Sequence, residues 1–175
     1  FQENDVKKMA ILWKDDIKLF PQMGMSKRFG EMRATKYVNK INIEQEKQFS
    51  AITIIMPDDT IYVSYRGTDN TVIGWKEDFN IAFRSHIPSQ LDALKYLEEI
   101  AEKYPNKLRI GGHSKGGNLA VYASVFANKN LKDRIINIYN NDGPGFNDEI
   151  IEKEEYKEII KKVNTYHKIL YLEDY

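Results

Sequence analysis

The segment Gly112-His113-Ser114-Lys115-Gly116-Gly117 constrains this chain more than any other, because it stands between the short apolar run 108–111 and an apolar stretch, residues 116–128, with helical spacing. A serine two residues from glycine on either side, between a strand and a helix, is the pattern of a very tight turn. The turn brings the backbones of the two flanking positions together, so both must be small, and Gly112 and Gly116 meet that need. The helix that follows aims its N-terminal dipole and first N–H groups at the turn. That combination favours a serine nucleophile in acyl transfer. Glycine-rich turns can also arise by chance or bind phosphate on the same dipole. However, the spacings G-x-x-x-x-G-K-[ST] and G-x-G-x-x-G are both absent.

The flanking pattern sets the fold class. Residues 50–56 and 60–65 are two β-branched and aromatic runs joined by Pro57-Asp58-Asp59, a turn in which proline presets φ and aspartate caps locally, and they predict an antiparallel hairpin. Ser89 and Asp92 resemble a capping box ahead of Leu91, Leu94, Leu97, Ala101 and Tyr104, with Pro105 as the stop. Residues 135–139 read as another buried strand, and Tyr156, Ile159, Ile160 and Val163 as one face of a last helix before an ambiguous tail. Strand, helix, strand, helix, strand argues for an α/β domain with a mainly parallel sheet and helices on both faces. At the N-terminal end, Val6, Met9, Ala10, Trp13, Ile17 and Phe20 predict an amphipathic helix leaving at Pro21, and Trp75, Phe79 and Phe83 predict a short one. Residues 24–48 carry no clear signal. No repeat or linker divides the 175 residues, so 1–175 read as one domain.

Charge and composition narrow the function. Twenty-six basic residues balance 26 acidic ones, which gives no field toward nucleic acid. The longest apolar run, near residues 51–56, is far short of the roughly 20 residues of a membrane helix. The first residues carry neither the basic nor the apolar region of a signal peptide. With no cysteine, disulfides and thiolate chemistry are excluded, and a cytoplasmic location is the expectation. No metal-ligand spacing appears.

Three ordered blocks, Tyr65-Arg66-Gly67-Thr68-Asp69, Trp75-Lys76-Glu77-Asp78-Phe79 and Gly112-His113-Ser114-Lys115-Gly116-Gly117, resemble those of the class 3 lipase group of α/β-hydrolases. Lys115, where those lipases usually carry leucine, and Asn141-Asp142-Gly143-Pro144-Gly145-Phe146 look more like a bacterial lipase-like family of unknown function. The resemblance covers roughly residues 50–146. It implies a serine esterase or lipase-like hydrolase with Ser114 as nucleophile and Thr68 as an oxyanion-hole residue, acting on a small-molecule or lipid ester without a cofactor. The N–H of Lys115, directly after the nucleophile, is the second oxyanion donor by its position alone. Arg66 and Asp78 match structural positions, and Trp75 and Phe79 match either a lid or an ordinary packed helix.

The acid and base are less constrained. Chain order in this fold is serine, acid, histidine. Asp142 is the best-placed acid, yet its segment is equally a turn, and the lipase pattern points further along, toward Asp148 or beyond. Of the three histidines, only His167 follows Ser114, which makes it the base by elimination or else a surface residue of the tail. His113 reads as a packing residue and His86 as a loop residue. No further strand-helix unit is expected after Phe146, so the C-terminal part of such a domain would be missing. The competing expectation is a non-catalytic scaffold that uses the serine pocket to bind a ligand or a protein. Oligomeric state is left open.

Overall fold

The computed structural model describes residues 13–42, 44, 47–68 and 86–167. Helix α1 (Trp13–Met25) precedes β1 (Arg33–Asn42), β2 (Lys47–Ile55) and β3 (Ile61–Tyr65). Helix α2 (Pro88–Lys103) leads into β4 (Leu108–His113), α3 (Lys115–Phe126), α4 (Lys129–Arg134) and β5 (Ile135–Asn141), and then α5 (Asp148–Ile151), α6 (Glu154–Ile159), a 3₁₀ turn (Ile160–Lys162) and β6 (Val163–Tyr166). One six-stranded sheet runs in the order β1-β2-β3-β4-β5-β6. The β1–β2 and β2–β3 pairs are antiparallel, and the remaining three pairs are parallel.

This is the expected α/β class with a mainly parallel sheet, but helices α2, α3 and α6 gather over one face where both were expected to be covered. The strands succeed one another in one direction across the sheet, so right-handed crossovers must all return over the same side. Accordingly α2 packs on α3 and α3 on α6, above one face. In α3 every residue from Lys115 to Val125 is buried, because the helix lies between two neighbours and the sheet. The core joins Ile61, Val63 and Tyr65 of β3, Leu108 and Ile110 of β4 and Ile138 of β5 to Ala93, Leu97 and Ile100 of α2 and Leu119, Ala120 and Ala123 of α3. Each large apolar side chain buried this way contributes about 1.5–3 kcal/mol. Buried Tyr65 donates its hydroxyl to the Ala93 carbonyl at 2.7 Å, and burial holds its pKa well above the usual tyrosine range.

Three local readings change. Residues 24–48 contain β1, ten residues long, whose pattern is mostly exposed. An edge strand need not alternate cleanly, and its lysines guard the open edge: Lys36 pairs with Glu99 and Lys40 with Asp92 across to α2. Helix α1 runs through Pro21 and stops at the Ser26 turn, where the Ser26 hydroxyl donates to the Met23 carbonyl at 2.8 Å. The predicted residues before 13, and the short helix around Trp75, lie outside the described residues. Finally, α6 ends at Ile159 and Val163 opens a strand, not a helical turn. Lys162 Nζ donates to the Lys132 and Ile135 carbonyls at 2.8 Å each, which turns the chain back toward β5.

Leu97→Ala, at 0% exposure, is expected to lower the unfolding free energy by about 2–5 kcal/mol. Phe20→Ala, at 72% exposure, should move it by less than about 0.5 kcal/mol, with urea titration followed by circular dichroism as the measurement.

Candidate active site

Ser114 stands between the last residue of β4 and the first of α3, with φ 55° and ψ −128°. A non-glycine residue held there costs on the order of 1–3 kcal/mol and persists only where the surroundings enforce it. The enforcing contacts are main-chain ones. Ser114 N–H donates to the Asn141 carbonyl of β5 at 2.9 Å, and its carbonyl accepts from Gly117 at 2.8 Å and Asn118 at 3.4 Å. The requirement for glycine is explicit: a Cβ at Gly112 would stand 2.4 Å from the Gly116 carbonyl carbon and 2.5 Å from the Tyr65 oxygen. At Gly116 it would stand 2.2 Å from that same Tyr65 oxygen. Three stretches of backbone therefore meet behind the serine: the end of β3, the end of β4 and the first turn of α3.

The chain leaving β3 passes beside Ser114. Arg66 N–H still pairs with the Ser50 carbonyl at 2.9 Å, and a Cβ at Gly67 would lie 2.7 Å from the His113 oxygen and 3.5 Å from Ser114 Cβ. Thr68 is the next residue, and Lys115 is the first residue of α3 on the other side. The Lys115 side chain is not at the surface. At 1% exposure it runs back to β2, where Nζ donates to the Gln48 carbonyl at 3.0 Å. Asp78, expected with Arg66 at a structural position, lies outside the described residues.

The sheet register aligns the remaining candidates. His113 pairs with Asn141, and Asn141 with Tyr166. Ser114, Asp142 and His167 are thus each the next residue beyond the same level of three adjacent parallel strands. Asp142 has φ 56°, and its N–H donates to the Tyr166 carbonyl at 2.7 Å. Its Oδ1 lies 3.6 Å from His167 Nδ1. The unit formed by α6 and β6, which the sequence reading did not expect after Phe146, is what carries His167 there. Among the described residues the Ser114 hydroxyl has no hydrogen-bond partner, so the register brings acid and histidine together but leaves Asp142 between His167 and the serine.

Other candidates fall elsewhere. Asp148 opens α5 in the exposed first turn of that helix. His86 Nδ1 is 2.7 Å from the Tyr122 hydroxyl, whose pKa burial pushes up to about 12, and its ring packs edge-on to Tyr122 and Phe126. His113 is exposed at the strand end instead of packed.

The sequence reading missed a buried amide relay. Gln90 Oε1 accepts from Ile87 N–H at 3.0 Å, and its Nε2 donates to Asn118 Oδ1 at 2.8 Å. Asn118 Nδ2 in turn donates to the Pro144 carbonyl at 2.9 Å. Asn140 Oδ1 accepts from Gly143 N–H at 3.1 Å and fills the space against Gly117. The loop after β5 is thereby tied to the first turn of α3. Helix α2 begins at Pro88 with Gln90 as its third residue, so the cap is supplied by Gln90 and not by the Ser89 and Asp92 pair. Proline in the first helical position with glutamine two residues on was the available signal.

A serine on a strand-to-helix elbow over a mainly parallel sheet is an arrangement similar to the α/β-hydrolase fold of lipases. The Mbeg1-like family matches residues 23–168, and the chain belongs to that family. A search of curated proteins finds no match. Among solved structures, the native Rhizomucor miehei lipase–propeptide complex is similar with a TM-score of 0.53 at 18% identity, over 75% of this chain and 46% of that one. A fungal lipase–inhibitor complex has a TM-score of 0.53 at 15% identity, over 87% of this chain and 63% of that one. The chain thus spans only about half to three-fifths of the length of these lipases. No helix of the described residues is long and apolar enough to cross a membrane.

Gly116→Ala is expected to lower stability by about 1–3 kcal/mol through its collision with the Tyr65 carbonyl. Ser114→Gly should instead raise it by up to about 1 kcal/mol, since glycine accepts the positive φ. Paired denaturant titrations measure both.

Proposed function

We propose that this protein is a serine hydrolase that cleaves carboxylic esters, of small molecules or lipids, through an acyl-enzyme on Ser114. The observation that supports this most is the strained backbone of Ser114, held at positive φ beside the residue 67–68 loop and at the start of a buried helix. Strain of that kind, enforced by three backbones in contact, serves no packing purpose, whereas a nucleophile has to project from such a turn.

In the proposed cycle Ser114 Oγ attacks the ester carbonyl carbon while His167 takes the hydroxyl proton. Asp142, at 3.6 Å from Nδ1, orients the imidazole and offsets its charge once protonated. The carbonyl oxygen, now an oxyanion, is met by the N–H groups of Thr68 and Lys115. Collapse expels the alcohol, which takes the proton from His167. Water then attacks the acyl-enzyme with His167 again as base, releasing the carboxylic acid and restoring Ser114. His167 must reach across Asp142 to do this, and a side chain 71% exposed has room to turn.

A fluorophosphonate should label Ser114 of the full-length protein stoichiometrically and leave Ser114→Ala unlabelled, as mass spectrometry would show. With p-nitrophenyl esters, His167→Ala should lower kcat by about 10²–10⁴. If Ser114→Ala is inert but His167→Ala is not impaired, the base is another residue. If Ser114 resists the reagent and Ser114→Ala changes no ester hydrolysis, the protein is a binding scaffold with an inactive serine pocket.

A further inference from the structure

The Lys115 side chain ends on β2, away from its own main-chain N–H. An antiparallel strand turns alternate carbonyls to the same edge, so Ser50 and Gln48 both face the side of β2 along which β3 runs. The Ser50 carbonyl receives Arg66 N–H at 2.9 Å. A ladder continued in the same register would offer the Gln48 carbonyl to the N–H of residue 68. Among the described residues the donor to that carbonyl is Lys115 Nζ, at 3.0 Å from the carbonyl and 3.5 Å from Gln48 Oε1. Both residues are buried, at 1% and 2% exposure. Burying an ammonium is costly unless its donors are satisfied, and an apolar side chain would fill the same space without that cost.

We infer that Lys115 is a positioning residue as well as a main-chain donor: its ammonium takes the acceptor on β2 that a longer β3 would use, and so lets the chain leave the sheet at Gly67 and set Thr68 beside Ser114. One side chain then couples the two oxyanion donors. It begins at the residue that supplies one of them and ends on the strand that would otherwise have claimed the other. This rests on the serine-hydrolase reading for its catalytic consequence, but the clamp is a structural claim that can be measured separately.

In Lys115→Met the stem keeps its length and the main-chain N–H is retained. The rate of covalent capture of Ser114 by a fluorophosphonate at saturation should fall about ten- to a hundredfold, with the half-saturating concentration little changed, because the loop is misplaced and not lost. Hydrogen–deuterium exchange should rise in the peptides covering residues 47–50 and 66–68 while the core strands keep their protection. The chain has no cysteine, so Lys115→Cys carries the only thiol. Alkylating it with 2-bromoethylamine in the unfolded state and refolding restores an ammonium of the same reach, and should restore both readouts. A Lys115→Met protein with wild-type capture rate and unchanged exchange at 66–68 overturns the clamp. If wild-type Ser114 is never captured, the hydrolase reading fails, and exchange alone then decides the clamp. Should the variants not fold, the wild-type protein still reports: a slowly exchanging Lys115 ¹⁵Nζ signal correlated with a backbone carbonyl supports the clamp, and a rapidly exchanging one overturns it.

Discussion

Three backbone segments converge behind Ser114, and their contact governs the rest of the molecule. Tyr65 at the end of β3 presents its carbonyl oxygen to both Gly112 and Gly116, leaving no volume for a side chain at either. Backbones this close cannot slide, so the direction in which α3 leaves the sheet is set where the turn is made. From that start α3 crosses the sheet between α2 and α6, and its burial follows. The energy released along that helix is what keeps Ser114 in a backbone conformation that an isolated chain would leave.

The polar groups around the turn carry the same logic. Polar side chains on a helix buried from its first residue cannot rely on water for partners, so protein groups must supply them. Asn118 and Gln90 meet this need with amides, which both donate and accept, and they connect the entry to α2 with the loop after β5. The buried Lys115 ammonium finds an acceptor in the Gln48 carbonyl. These residues look unremarkable one at a time, since an asparagine and a glutamine 28 positions apart carry no shared pattern. They acquire meaning once α2 and α3 lie side by side.

The parallel half of the sheet explains how distant residues are collected. Strands that run the same way end at the same rim, so residues that follow β4, β5 and β6 become neighbours although 25 or more positions separate them. The similarity to fungal lipases lies in this architecture. At 15–18% identity it is a similarity of backbone, and the chemistry proposed for this chain stands on its own residues.

Local chemistry already written in the chain included the glycines around Ser114, the hairpin through Pro57-Asp58-Asp59, the apolar runs of β3, β4 and β5 and the amphipathic α2. Each depends on neighbours a few positions away, where steric exclusion and periodicity act directly. Strand β1 escaped notice because an edge faces water and needs no alternation, and β6 because four residues beginning with a valine continue a helical spacing equally well. The meeting of Asp142 with His167, the amide relay through Asn118 and the path of Lys115 to Gln48 were settled by packing. They depend on strand order and register, and those follow from where whole faces are buried, a property that no short stretch of residues possesses.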